Sequence, residues 1–267
     1  MWHDIKILNA TANSLLGMLV LVLLMSGMWW GIHRPMFTLK VIRIEGVSRA
    51  LVNGTDKGTD KVALRHVNRL TVRDVALPKI KGNFFTTNLD AVRIAFEAVP
   101  WVRKASVQRE WPNKLTIMLE EHQVLGTWGT EGRLISAKGD VFTANLAEAE
   151  EDTDLIGLVG PEGSEKEVLA RYLDFKQWFS SISLVPEEVQ YSSRYAWSVK
   201  LNNGMTVELG RVQDELSLKK RVDRLLTVYP QLVASLQDNI DRIDMRYPNG
   251  LALKASHSAL GLKSKLK

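Results

Sequence analysis

The sequence predicts an α+β protein: a single N-terminal transmembrane helix, a small domain ordered strand-helix-helix-strand-strand, and a second mixed α/β domain with a mainly antiparallel sheet. Three observations carry that reading. No Asp, Glu, Lys or Arg lies between Lys6 and Arg34, and the centre of that interval reads LLGMLVLVLLMSGMWW. Residues Val99 to Gln123, VPWVRKASVQREWPNKLTIMLEEHQ, alternate in side-chain character on both sides of Trp111-Pro112-Asn113. Further on, helix-period segments are interleaved with short alternating ones that break at Asn202-Asn203-Gly204 and Pro248-Asn249-Gly250.

The first element is the apolar run. About 20 apolar residues at roughly 1.5 Å each cover a bilayer core, and Trp29 and Trp30 stand where an interfacial aromatic belt belongs. A cleaved signal peptide is the alternative. Its charged leader would be minimal, and the bulky Met28, Trp29 and Trp30 occupy positions where small residues precede a cleavage site. The expectation is an uncleaved anchor over 13–32, after a short cytoplasmic N-terminus over 1–12. Local charge argues the other way: Lys6 alone precedes the span, whereas Arg34, Lys40 and Arg43 follow it. Long domains translocate largely regardless of nearby charge.

The small domain is expected over 37–127. FTLKVIRIEGV reads as a strand with apolar residues on both faces, and Ser48 to Lys61, containing NGTDKGTDK, as a solvated loop. Leu64 to Ile80 reads as mostly helical, with Leu64, Val67, Leu70 and Val75 as apolar positions and Pro78 closing it. A second helix places Leu89, Val92, Phe96 and Val99 on one face, with Thr87 as its cap and Pro100 at its end. The hairpin of Val99 to Gln123 completes a three-stranded sheet covered by two helices.

The second domain is expected over 128–256. RLISAKGDVF and LIGLVG supply short strands, and Ser164 with Glu167 reads as a capping box for a helix carrying Leu169, Tyr172, Leu173 and Phe179. AWSVKLNNGMTVELG is a hairpin. A further helix carries Leu218, Val222, Leu225, Leu226 and Tyr229 until Pro230 stops it; then come Ile243, Met245 and Tyr247, a turn, and Leu251 and Leu253. From 257 to 267 the lysines at 263, 265 and 267 mark a basic tail.

Composition narrows function by exclusion. The 35 basic and 30 acidic residues, net +5, are interspersed and form no nucleic-acid footprint. The absence of cysteine removes thiolate metal sites and cysteine nucleophiles. The histidines at 3, 33, 66, 122 and 257 make no metal-spaced pair, and EEH at Glu120 to His122 lacks the second His of a zinc helix. GTWGTEG is followed by a strand and offers no helix N-terminus to a phosphate; GPEGS is no nucleophile elbow. No catalytic set, metal, cofactor or small-molecule substrate is expected. A scaffold fits best; a cell-wall enzyme would need paired carboxylates, a metal or an activated nucleophile.

The strand-helix-helix-strand-strand order is that of a POTRA domain. With the single anchor, the PWV…SV…WP pattern of Pro100 to Pro112, and the later stretches SSRYAWSVKLNNG, RVDRLLTVYPQL and IDMRYPNG, the chain resembles the FtsQ/DivIB family of bacterial cell-division proteins. That resemblance implies a divisome scaffold linking early and late division proteins. It also implies a single-pass inner-membrane protein with its N-terminus in the cytoplasm and its bulk in the periplasm, at the septum. The implied partners are FtsB, itself paired with FtsL, and other division membrane proteins; the only lipid contact implied is through the helix. A POTRA-type periplasmic receptor or chaperone for transported polypeptides is the alternative, but such proteins usually add a membrane β-barrel, and no series of lipid-facing strands is present.

Carried over residue by residue, the resemblance places FtsB contacts at Tyr247, Asn249, Gly250 and Leu251, with Arg194 of SSRYAW as a basic position meeting an acidic partner residue. A recruitment surface on the POTRA hairpin corresponds to Lys104, Val107 and Arg109. After Gly250 the chain departs from the family's pattern, carrying Leu251 to Lys254 and no later Trp. Physical chemistry supports the placement, because the last strand of a domain tends to be a sheet edge whose free N–H and C=O groups can pair with an incoming extended segment.

Overall fold

A computed structural model describes residues 2–32, 35–48, 60–211, 215–236, 240–247 and 250–255. The chain divides into two units, Met1–Glu121 and His122–Lys267. The expected tail over 257–267 and most of the NGTDKGTDK loop lie outside the described residues.

Helix α1 (Trp2–Ile32) contains an apolar stretch, Asn9–Gly31, of 23 residues. At about 1.5 Å per residue it reaches roughly 34 Å, enough for a bilayer core. Apolar side chains project all round it: Leu16, Leu19, Leu23 and Met25 are all exposed, a pattern consistent with a membrane span. The Ser14 hydroxyl donates to the Ala10 carbonyl at 2.8 Å, so its polar group is satisfied inside the helix.

The first unit continues with β1 (Val41–Ser48), β2 (Asp60–Lys61), α2 (Arg69–Val75), α3 (Leu89–Glu97), β3 (Val102–Glu110) and β4 (Lys114–Glu121). Its sheet order is β2-β1-β4-β3, with β1 parallel to β4 and β3 antiparallel to β4. The sheet has four strands where three were expected, because Asp60 and Lys61 pair antiparallel with Ser48 and Val47 at the ends of the predicted loop. Val72, Val92, Phe96, Ala105, Ile117 and Leu119 are buried together where α2 and α3 cover the sheet.

Two expectations here are corrected. Helix does not run from Leu64: Asn68 caps α2 by accepting from the Leu70 amide at 2.6 Å, and the Arg65, His66 and Val67 amides donate to the Glu121 carboxylate at 3.0, 3.1 and 2.7 Å instead of to helical carbonyls. The cap of α3 is Asn88, whose side chain accepts from Asp90 and Ala91. Thr87 instead donates its hydroxyl to the Asn83 carbonyl at 2.6 Å, closing the preceding turn.

The second unit comprises β5 (Val124–Trp128), β6 (Arg133–Ser136), β7 (Val141–Phe142), α4 (Leu146–Asp152), β8 (Ile156–Val159), α5 (Glu165–Phe179), β9 (Pro186–Tyr191), β10 (Ala196–Leu201), β11 (Thr206–Arg211), α6 (Glu215–Leu236), β12 (Ile240–Asp244) and β13 (Ala252–Ala255). These strands form one sheet in the order β13-β12-β11-β10-β9-β8-β5-β6-β7. Most neighbours are antiparallel; β5 and β8, β8 and β9, and β11 and β12 are parallel. Helices α5 and α6 make the crossovers that parallel neighbours require. Trp128, Leu158, Phe175, Phe179, Leu201 and Met205 anchor the core. A boundary drawn after Thr127 would run through β5, which pairs with β6 and β8.

Three local readings change. Ser164 precedes α5 but makes no capping bond; its hydroxyl donates to the Pro161 carbonyl at 2.6 Å, and the Gly163 amide donates to Glu165. Helix α6 runs through Pro230. Pro costs about 3 kcal/mol inside a helix, but Leu218, Val222, Leu225 and Tyr229 before it are buried, and Leu232 and Val233 after it pack on the same core; each such side chain contributes roughly 1.5–3 kcal/mol when fully buried. Helix α4, capped by Asn145, has no counterpart in the sequence reading.

Candidate functional site

The final hairpin is built from its buried side outward. Ile240, Ile243 and Met245 are buried, which fixes β12 on the sheet. Strand β13 pairs with it through Asp244↔Ala252, Ile243↔Leu253 and Arg242↔Lys254, and nothing among the described residues lies beyond β13 in the sheet order. Ala252, Leu253 and Lys254 are exposed. The strand is four residues long and carries a lysine, the usual features of a sheet edge.

The segment leaving β12 is held from α6. Arg224 Nη2 donates to the Met245 carbonyl at 3.3 Å and to the Tyr247 carbonyl at 2.8 Å, and Arg221 donates to the Leu209 carbonyl. Gly210 makes room: its φ is 73°, and a Cβ there would stand 2.6 Å from Arg246 Cγ. Arg246 folds back onto Asp244, with Nη2–Oδ2 at 2.6 Å and Nε within 3.0 Å of both carboxylate oxygens. The hydrogen bonds from Arg246 hold the Asp244 carboxyl below the usual carboxylate range against the opposing effect of burial. With the backbone so fixed, the Tyr247 side chain is 56% exposed.

Gly250 is exposed, and Leu251 is half-buried against the core. Asn249 lies outside the described residues. Arg194 is exposed in the turn joining β9 and β10, where the Tyr195 amide donates to the Ser192 carbonyl at 2.8 Å. The registers Ala196↔Arg211 and Glu208↔Asp244 put that turn and the segment after Asp244 at one end of the sheet, with β10 to β12 in between. Arg194, Tyr247, Gly250 and Leu251, distant in sequence, thus share a sheet end.

The three POTRA positions are not brought to one face. All lie on β3, one of the two outer strands of the four-stranded sheet. Alternation puts Lys104 on the side away from the helices, whereas Val107 packs against the core that they cover. Arg109 is no ordinary solvated charge: its Nε and Nη2 donate to the Phe84 and Thr87 carbonyls, each at 2.7 Å. The Glu121 carboxylate, accepting from the Arg65, His66 and Val67 amides, has a similar organising effect. Neither shows in the sequence, because the partners are many residues away.

A helix long and apolar enough to cross a bilayer, a POTRA-type unit and a nine-stranded sheet whose described order ends in β13 define the class: a POTRA protein with one candidate membrane span. Residues 62–122 match the family described as POTRA domain, FtsQ-type, and residues 126–246 match cell division protein FtsQ/DivIB, C-terminal. The chain is 46% identical over 256 residues to the cell division protein FtsQ of Burkholderia pseudomallei, covering 96% of this chain and 95% of that one. Identity to the proteins of the same name is 36% over 265 residues in Bordetella pertussis, covering 95% of this chain and 92% of that one, and 33% over 256 residues in Nitrosospira multiformis, covering 96% and 100%. The chain belongs to the FtsQ/DivIB family of cell-division proteins.

Proposed function

We propose that the protein is a non-catalytic scaffold of the divisome, held in the inner membrane by α1 with its N-terminus cytoplasmic and both folded domains periplasmic at the septum. It links early and late division proteins. Its last sheet edge receives an extended segment of FtsB, itself paired with FtsL, and the POTRA hairpin contributes Lys104 to a recruitment surface for other division membrane proteins, with Val107 and Arg109 supporting the strand beneath.

The observation that carries this reading is the position of β13 at the end of the sheet order. Backbone pairing at such an edge gives affinity with little sequence demand, so specificity falls to side chains and charges at its ends. Tyr247 offers an exposed aromatic ring on a backbone fixed by Arg224, Leu251 an apolar contact, and Arg194 a positive charge at the same sheet end. Asn249 is assigned to the same contact by the family resemblance alone.

Titration of the protein with the soluble FtsB ectodomain tests the proposal. Tyr247→Ala and Arg194→Glu should each weaken binding at least tenfold, about 1.4 kcal/mol, with unchanged melting. Wild-type affinity in both variants would contradict it.

A further inference from the structure

The POTRA unit carries an aromatic cluster, seated on the buried Phe84, whose exposed rings the proposed partner edge does not use. The Phe37 and Phe85 ring centroids lie 4.9 Å apart, Phe37 and Trp111 5.7 Å, and Phe84 and Trp111 5.7 Å. Backbone bonds tie the three contributing segments together: the Phe84 amide donates to the Phe37 carbonyl at 2.9 Å, and the Lys40 amide to the Asn113 carbonyl at 3.1 Å. Phe84 is buried and serves packing. Trp111 is 65% exposed, Met36 62% and Phe85 45%, far more apolar surface than a turn needs.

What faces this patch follows from the chain itself. Residues 33–36 alone separate the end of α1 at Ile32 from Phe37, and five Cα steps span under about 20 Å at full extension. Trp29 and Trp30, both exposed near the end of α1, mark the level of the lipid headgroups. Exposed Lys40 and Lys81 flank the patch in sequence, which suits an anionic surface. We propose that Met36, Phe85 and Trp111 form a second membrane contact, seating the POTRA domain on the headgroup layer of the bilayer that α1 crosses. Trp is suited to that layer, with an apolar ring and one N–H donor. The inference rests on α1 spanning the membrane.

The chain has no cysteine, so single labels are clean. Full-length Asn113→Cys protein, carrying an environment-sensitive fluorophore and reconstituted into phosphatidylethanolamine–phosphatidylglycerol vesicles, should be quenched by lipids spin-labelled near the headgroup. A label at Lys104→Cys, seven residues back along β3 from Trp111 and roughly 23 Å away at about 3.3 Å per residue, should be quenched much less. Adding Phe85→Ser and Trp111→Ser should lower quenching at position 113 to the Lys104 level, although the tether is intact. Lys40→Glu with Lys81→Glu, which touches no aromatic ring, should lower it on these vesicles as well. Quenching at 113 no greater than at 104, or unchanged in both double variants, would overturn the proposal. Failure of the protein to float with the vesicles would overturn the anchor reading and this one together; flotation without quenching would overturn this one alone.

Discussion

At the scale of single residues, the side chains that fix the candidate surfaces act on backbone. Arg109 grips two carbonyls with its fork, a geometry a lysine cannot reproduce. Arg109→Lys should therefore cost about 1–2 kcal/mol of stability, whereas Lys104→Glu should stay within about 0.5 kcal/mol, as read by chemical denaturation. Asp244 has a lowered pKa, so it contributes stability above its unfolded-state value and loses it as pH falls through the folded-state value. Arg242 and Arg246 act in that direction, and Glu208 lies beside Arg242 at 3.7 Å. The stability gap between wild type and Asp244→Asn should be constant above about pH 5, then close as pH drops below about 4; denaturation at several pH values checks it. Little of this was legible in the sequence. Thr87 and Asn88 are both good cap residues, and the Asn83 carbonyl, which takes the Thr87 hydroxyl, decided between them.

At the scale of elements, the sequence was most informative where one periodicity ran unbroken. Val99 to Gln123 alternates on both sides of its turn, and β3 and β4 pair in that register from Lys104 to Glu110, after an irregularity between Val102 and Lys104. It was least informative where a local breaker met a strong tertiary preference: α6 passes Pro230 because apolar residues on both sides of it pack on one core. The two-residue β2 and acidic α4 carry too few apolar positions to show a period. Pairing between β5 and β8 depends on a close approach that only glycine permits, since a Cβ on Gly126 would stand 2.1 Å from the Ile156 carbonyl oxygen. Gly126→Ala should destabilise the second domain by about 3 kcal/mol or more, measured by urea denaturation of the full chain.

At the scale of the whole molecule, the sequence supported an anchor and two domains, but not a nine-stranded sheet. The parallel pairs β5/β8, β8/β9 and β11/β12 join segments far apart in the chain, and no local signal encodes such crossovers. Among the described residues β13 stands at the end of the strand order, where the sequence reading expected the last hairpin to present an edge. If specificity resides in the folded domains and α1 supplies delivery, exchanging α1 for an unrelated single-pass helix of equal length should leave partner affinity within about 0.5 kcal/mol of wild type, measured on detergent-solubilised protein. If β13 accepts a partner strand, amide hydrogen exchange of the full chain with and without the soluble FtsB ectodomain will register the pairing at that strand. Strand pairing predicts slowed exchange in Ala252 to Ala255 on complex formation, with β7 at the opposite edge of the sheet unchanged. Protection elsewhere, with exchange in β13 unaltered in a saturated complex, would contradict it.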